Sequence, residues 1–412
     1  MKNYIQLAIY FILLFMLFFG FQIFGINTRY IATALLIAEC FFLKRYSNRC
    51  FSFIKAVPAR YLKSIILYNV VTFIWTFVLF ANDINMFVGT FRLVIIAFDL
   101  VMLWATLPEN YRPYHLHLIV GVFVLQSLII FAAFLNPSIL ELVRTFQYEN
   151  IIETTDRYLN HGTFRGLALS GDQFYGLTAC FGLISIIVMK LYVDTSKIIW
   201  IVIYFILFAA NMFVGRTGFV GFAAALGYLF ISKKNGRFKL IFKVCVFTVL
   251  TIIILYQLLP SSLKEVLDES VFAYAFQLFY NYESGGTFST SSTDRVMEMW
   301  ELEIPFFTML LGDGRFVNAD GSYYGHVDVG YLRQILYGGI LYLALSIYLV
   351  FKYITNYSKR ISINKYKFEF VLFIYLLATH AKGLCFMYCP EMMMIVLFYY
   401  YSQNYEQLKY IR

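Results

Sequence analysis

A histidine and an aspartate two residues apart, His326 and Asp328, close the one long polar stretch of an otherwise apolar chain. An imidazole with a pKa near neutrality can take a proton from a hydroxyl as its oxygen attacks carbon, with a carboxylate orienting the ring. Asp328 could equally be the base itself, and a lone loop histidine is often only a solvated side chain. A second group of interest is Val214-Gly215-Arg216-Thr217-Gly218. Its guanidinium offers a planar fork of donors to phosphate oxygens, and the two glycines let backbone approach a ligand. The plainer account of Arg216 is an arginine reaching for the membrane interface. Arg165 and Arg295 are two more isolated cations in polar segments. Arg165, seven residues before Asp172, reads by itself as half of a surface ion pair.

These residues have to be positioned by helices in lipid. The 412-residue chain is 61% hydrophobic and 14% charged, with a mean hydropathy of +0.70, against about 25% charged in soluble domains. The 45 Phe and 34 Tyr fit, in part, interfacial aromatic belts. Runs near the roughly 20 residues needed to cross a bilayer fall at Tyr4–Phe24, Ile26–Leu43, Ile65–Phe80, Phe87–Leu107, His117–Leu135 and Phe174–Met189. They continue at Ile198–Val214, Phe219–Ile231, Leu240–Leu259, Val329–Phe351, Phe368–His380 and Met387–Tyr401. The first is too long for a signal-peptide core and lacks a small-residue cleavage site, so it reads as a retained span. The pattern predicts an all-α polytopic membrane protein of about 12 transmembrane helices.

Charge orients them. Lys44 to Lys63, Lys190 and Lys197, Lys233 to Lys239, and Lys352 to Lys367 all fall on one side if both termini are cytoplasmic. The net charge of +9 is thus a topology signal rather than a nucleic-acid footprint, and no nucleic-acid partner is expected. The other side receives loops 136–173 and 260–328, the latter, between helices 9 and 10, with 11 acidic residues against Lys264, Arg295 and Arg315. Residues 1–412 then form a single transmembrane domain with two outside loops. Within the longer one, Thr293 or Asp294 would cap an amphipathic helix through Trp300, and Leu311-Gly312-Asp313-Gly314 and Asp320-Gly321-Ser322 read as turns.

With that orientation Arg165, Arg216 and Arg295 face outward, where two or three cations could hold a lipid-linked diphosphate and stabilise it as a leaving group. His380, Lys382 and Glu391 lie by the last outside turn and either line the same cavity or cap helix ends. Cys385 and Cys389 could pair or bind a metal, but have no second Cys/His pair nearby. No P-loop, dinucleotide fingerprint, zinc HExxH or serine elbow is present, nor an outward Asp-x-Asp pair for a divalent ion. No cofactor or metal is expected. Internal repeats and low-complexity segments are absent from the sequence.

This organisation resembles the O-antigen polymerase family, which is related to the O-antigen ligases. The likeness spans nearly the whole chain as architecture, and locally Phe213-Val214-Gly215-Arg216-Thr217-Gly218, Leu311-Gly312-Asp313-Gly314 and His326-Val327-Asp328-Val329-Gly330-Tyr331-Leu332. It implies a metal-independent glycosyltransferase at the periplasmic face of the bacterial inner membrane, acting in lipopolysaccharide biosynthesis. The substrates would be two undecaprenyl diphosphate-linked oligosaccharides, donor and acceptor, with membrane lipids and a chain-length regulator protein as further partners. The diphosphate-binding arginines would be Arg216 and Arg295, with Arg165 a third candidate, and His326 the base that activates the acceptor. Asp328 stands where the ligases tend to show a second polar partner, which leans toward polymerase. A ligase delivering glycan to lipid A-core is the alternative. A repeat-unit flippase is a further one, expected to carry inverted repeats and charges buried in mid-span, whereas this sequence keeps nearly all its charges in loops.

Overall fold

The computed structural model describes residues 2–42, 48, 50, 60–79, 83–160, 164–232, 246, 256–257, 261–286, 289–355 and 363–403. The expected span Leu240–Leu259, His161, and the basic segments 44–55 and 233–239 lie outside them or almost wholly so.

The chain is 78% helical with almost no sheet. Helix α1 (Lys2–Phe19) turns through a two-stranded hairpin, β1 (Gln22–Ile23) and β2 (Ile26–Asn27), into α2 (Thr28–Phe42). Then come α3 (Arg60–Val78), α4 (Asn85–Thr106) and α5 (His115–Leu135). Two short helices follow, α6 (Pro137–Arg144) and α7 (Glu149–Asn160). Asn136 caps α6 by accepting from Ser138 N–H at 2.9 Å, with Pro137 in the first turn where its missing donor costs nothing. Three apolar helices come next, α8 (Phe174–Thr195), α9 (Ile199–Met212) and α10 (Gly218–Ile231).

The long polar segment folds as α11 (Ser261–Val266) running into a π-helical turn (Leu267–Phe272), then α12 (Gln277–Gly285), α13 (Ser291–Trp300) and α14 (Phe306–Leu311). Helices α15 (Gly330–Ile354), α16 (Ile363–His380) and α17 (Pro390–Gln403) complete the chain. Every expected span except Leu240–Leu259 coincides with a helix. Four helical stretches, Asn85–Thr106, Asn110–Leu135, Phe174–Thr195 and Gly330–Ile354, are long and apolar enough to cross a membrane, and several shorter ones are apolar. This is a helical membrane protein.

Helix α8 is the hub, buried along most of its length and packed on α9, α10 and α17. It meets α10 backbone to backbone, since a Cβ on Gly221 would overlap Gly182. Small residues at such crossings let helices approach where lipid supplies no hydrophobic drive. Much of the tyrosine expected at interfaces is instead buried between α3 and α15. There Tyr68 meets Ser346 at 2.8 Å, Thr72 meets Tyr342 at 2.7 Å and Thr76 meets Tyr337 at 2.8 Å.

Helix α15 is broken at Gly339 (φ 72°). The break frees carbonyls that accept from the loop: Asp313 N–H reaches Leu336 O at 2.7 Å and Gly314 N–H reaches Tyr337 O at 2.9 Å. Part of the polar segment is therefore seated in the helix bundle rather than above it. Two sequence expectations need correction. The cap of α13 is Thr290, in a reciprocal box with Thr293, not Thr293 or Asp294. Charges also enter the helices more than expected, with Asp99 in α4 and Glu369 in α16 at 1% and 3% exposure and Arg333 in α15 at 7%.

One end of the bundle collects the polar connections. Gln22 N–H bonds Phe146 O at 2.9 Å, Gly171 N–H bonds Phe19 O at 2.7 Å, and Asp83 accepts from Phe316 and Val317 N–H at 2.6 and 2.8 Å. Burial raises the Asp83 pKa, but the N–H groups of Val317, Asn85 and Phe316 outweigh it and hold the carboxyl below its ordinary value.

Candidate functional site

At this end the α9–α10 connection is fixed by hydrogen bonds to α8 and to the end of α9. Gly218 N–H donates to Thr178 Oγ1 at 2.9 Å, and Asn211 Nδ2 donates to the Gly215 carbonyl at 3.0 Å. Arg216 follows that carbonyl, half-buried. Arg165 comes to the same connection from the other side, its Nε donating to Val214 O at 3.1 Å.

Both guanidiniums lie against one ring. Arg216 Cζ is 4.4 Å and Arg165 Cζ 5.1 Å from the centroid of Tyr274, just past the π-helical turn. Arg165 is further enclosed by Tyr158 at 4.7 Å and Phe174 at 4.9 Å, and Arg216 donates to Gln277 Oε1. Neither has an acidic partner among the described residues. Two like charges converging on one ring are repulsive until an anion joins them, and cation–π contact offsets only about 0.5–2 kcal/mol each.

Lys382, half-buried in the turn after α16, extends the cluster. Burial lowers its pKa; the Asp328 charge opposes this, while Arg216 and Arg295 push it further down. Arg216, Arg295 and Asp328 are therefore each within electrostatic reach of Lys382. Arg295 stands exposed on α13.

Four of the five expected site residues belong to this grouping. His326 stands apart from it. The ring is exposed, and its one hydrogen-bond contact is Nδ1 with Ser322 Oγ at 3.5 Å. Ser322 also donates to Asp320, whose carboxyl is held below its ordinary pKa by those bonds, with the nearby His326 adding to the effect. The His326 backbone is left-handed (φ 54°) with its N–H on Tyr323 O at 2.8 Å, a conformation that side chains other than glycine rarely adopt. Asp328 N–H reaches Met299 Sδ at 3.3 Å, and its neighbours Val327 and Val329 pack into a small core with Val296 and Met299 of α13.

The remaining candidates divide. His380 is fully buried: its Nδ1 accepts from Cys385 and Phe386 N–H at 3.2 and 3.3 Å and its ring stacks on Phe386, so it is a structural histidine. Glu391 pairs with Arg29 and accepts from Cys389 Sγ at 3.3 Å. Asp172 does not pair with Arg165 but abuts Glu391; burial and that neighbouring charge, against the pull of Arg29, hold its carboxyl well above the ordinary range. Asp172, Cys389 and Glu391 lie close enough to hold a metal, their ligand atoms within 4.8 Å of one another, but Arg29 already supplies the positive charge there.

One cation is absent from the sequence-based candidates. Arg333 sits in the first turn of α15, sandwiched by Phe316 at 4.0 Å and Tyr323 at 3.6 Å, with Nε and Nη2 unbonded among the described residues. Asp328 is in its electrostatic range. An arginine inside the apolar run Val329–Phe351 was the available clue.

No protein-family model, curated protein or solved structure matches this chain.

Proposed function

We propose that the chain is an O-antigen polymerase, a membrane glycosyltransferase that moves a lipid-linked glycan onto a new lipid-linked repeat unit. The observation that carries this reading is the convergence of Arg165 and Arg216 on Tyr274, with Lys382 beside them and no acidic partner for either arginine among the described residues. Such a cluster suits a diphosphate. An acceptor hydroxyl oxygen attacks the anomeric carbon, the bond from that carbon to the diphosphate oxygen breaks, and the diphosphate leaves with the electron pair. Arg165, Arg216, Lys382 and Arg295 stabilise that charge. The hydroxyl proton passes to Asp328, which has the cations in range, rather than to His326, which faces Ser322.

The same reading takes about twelve spans, both termini in the cytoplasm of a bacterial cell, and the loop end of the bundle in the periplasm. The position of the cluster where the long polar segment meets the apolar helices supports it, since a polyprenyl carrier would deliver its diphosphate close to the membrane surface. The test is complementation of a polymerase-deficient strain, read as the lipopolysaccharide ladder. Arg216→Ala and Asp328→Asn are expected to collapse it to core plus one repeat unit at normal protein levels, while His326→Ala keeps partial extension. Full ladders from both Arg216→Ala and Asp328→Asn would sink the site. Loss of every repeat unit from the core on gene deletion would indicate the ligase instead.

A flippase reading gains from the buried carboxylates of Asp99 and Glu369 within helices. It predicts that deletion leaves undecaprenyl-linked repeat units on the cytoplasmic leaflet, whereas the polymerase leaves them on the periplasmic one.

A further inference from the structure

A second cavity, sharing no residue with the cation cluster, lies between α2, α4 and the β1–β2 turn, with a volume of about 360 Å³. That is the lower end of the roughly 300–1,000 Å³ of small-molecule sites, room for a headgroup and not for a glycan chain. Arg29, Arg92, Asp99, Thr33, Tyr30 and Tyr148 line it.

Arg29 is held rigidly. Its Nε donates to Leu17 O at 2.9 Å and its Nη2 to Phe18 O at 3.1 Å and to Glu391, while Nη1 bonds no described residue. Arg92 is exposed on α4 and makes no hydrogen bond or ion pair among the described residues. Asp99, 1% exposed, accepts from Thr33 Oγ1 at 2.8 Å through Oδ2, and its Oδ1 has no partner. An orphaned carboxylate oxygen at such depth is costly unless a ligand or water satisfies it. Arg92 with its whole guanidinium and Arg29 with its remaining Nη1, together with the Asp99 oxygen, match a phosphate joined to a sugar: the cations for the phosphate oxygens, Asp99 for a sugar hydroxyl.

Packed side chains run from α4 to Arg333: Tyr388 lies against Gly89 of α4, its ring is 5.1 Å from that of Phe316, and Arg333 Cζ is 4.0 Å from the Phe316 centroid. Tyr388 lies in the fields of both Arg92 and Arg333, and Arg333 in turn feels Asp328.

We infer that this cavity binds the glycosyl diphosphate headgroup of a second polyprenyl-linked substrate, the acceptor. The inference rests on the polymerase reading in one respect: it takes the cluster around Arg216 as the donor's diphosphate site. In such a transfer the donor diphosphate sits at the reacting bond. The acceptor diphosphate lies a whole repeat unit away from the attacking hydroxyl, so it needs an anion site of its own. The bridge from Arg92 through Tyr388 and Arg333 to Asp328 runs between the two.

The test uses the full-length protein in phosphatidylcholine nanodiscs with undecaprenyl diphosphate carrying one hexose as probe, read as bound stoichiometry by native mass spectrometry. The wild type is expected to bind a pair of probe molecules. Asp99→Asn, which keeps size and shape, and Arg92→Ala should each bind a single one, Arg92→Lys should retain weakened binding of the second, and Arg92→Ala combined with Arg216→Ala should bind none. A full pair on both Asp99→Asn and Arg92→Ala overturns the inference. So does displacement of the second molecule by equal concentrations of phosphatidylglycerol or of inorganic pyrophosphate, which would reveal a general lipid site or a soluble anion site. If Arg216→Ala still binds a pair while Arg92→Ala does not, the donor assignment fails and the cavity stands.

Discussion

At the scale of single residues, the cluster is defined by which cation neutralises which anion. Arg29 has Glu391, and Arg144 has Asp156 at 2.7 Å, whereas Arg165 and Arg216 have an aromatic ring between them and no carboxylate among the described residues. Lys382 turns this imbalance into a pH response. Its pKa is lowered first by burial and then by Arg216 and Arg295, so its ammonium deprotonates at a lower pH than an ordinary lysine near 10.4. A bound diphosphate favours the charged form and raises that pKa again. Affinity for undecaprenyl diphosphate is therefore expected to be full below the depressed pKa and to fall as pH rises through it, with proton uptake on binding. Lys382→Arg, charged throughout, should flatten the profile below the ordinary lysine pKa. A wild-type profile as flat as the variant's would remove Lys382 from the site. The sequence made Arg165, Arg216, Arg295, Asp328 and Lys382 visible because charge in an apolar chain is conspicuous. Tyr274, Gln277 and the role of Arg333 were not visible, because one aromatic or amide among many has no charge contrast to mark it.

At the scale of elements, apolar run length announced the helices, and the failures came where backbone departs from a continuous helix. The Gly339 break lies within Tyr337-Gly338-Gly339-Ile340, and nothing in the hydropathy distinguishes it from ordinary helix. Its function is to expose the Leu336 and Tyr337 carbonyls to Asp313 and Gly314. Gly339 also lies so close to the Leu310 carbonyl that a Cβ would overlap it. Gly339→Ala meets both a left-handed φ and that clash, and should destabilise by about 1–3 kcal/mol or more. The expected readout is a lowered melting temperature in detergent, with faster proteolysis between residues 306 and 328, because the segment carrying Asp328 loses its seat. Unchanged melting and unchanged cleavage would mean that the break is incidental to docking the loop.

At the scale of the whole molecule, the two anion sites lie at one end of the bundle, and a chain with net charge +9 must orient that end in a membrane. The loop end gathers the hairpin after α1, the 136–173 segment, the Arg216 connection and the long acidic segment, all joined by the hydrogen bonds described above. The C-terminal end of α8 and the α8–α9 turn hold Lys190 and Lys197 instead, with Lys190 paired to Asp194. If positive residues are retained on the cytoplasmic side, the acidic loop lies outside, where the proposed lipid-linked substrate would be met after translocation. The described cysteines are all buried, and labelling of an introduced cysteine is read against the parent protein. Asp320→Cys is expected to react with a membrane-impermeant maleimide once the outer membrane is permeabilised, and Lys197→Cys only after the inner membrane is lysed. Reaction of both from the same side would break the alternation of spans. Reaction in the reverse order would put the Arg216 cluster in the cytoplasm, where nucleotide-linked donors are available, and the polymerase reading would lose its reason for a lipid diphosphate.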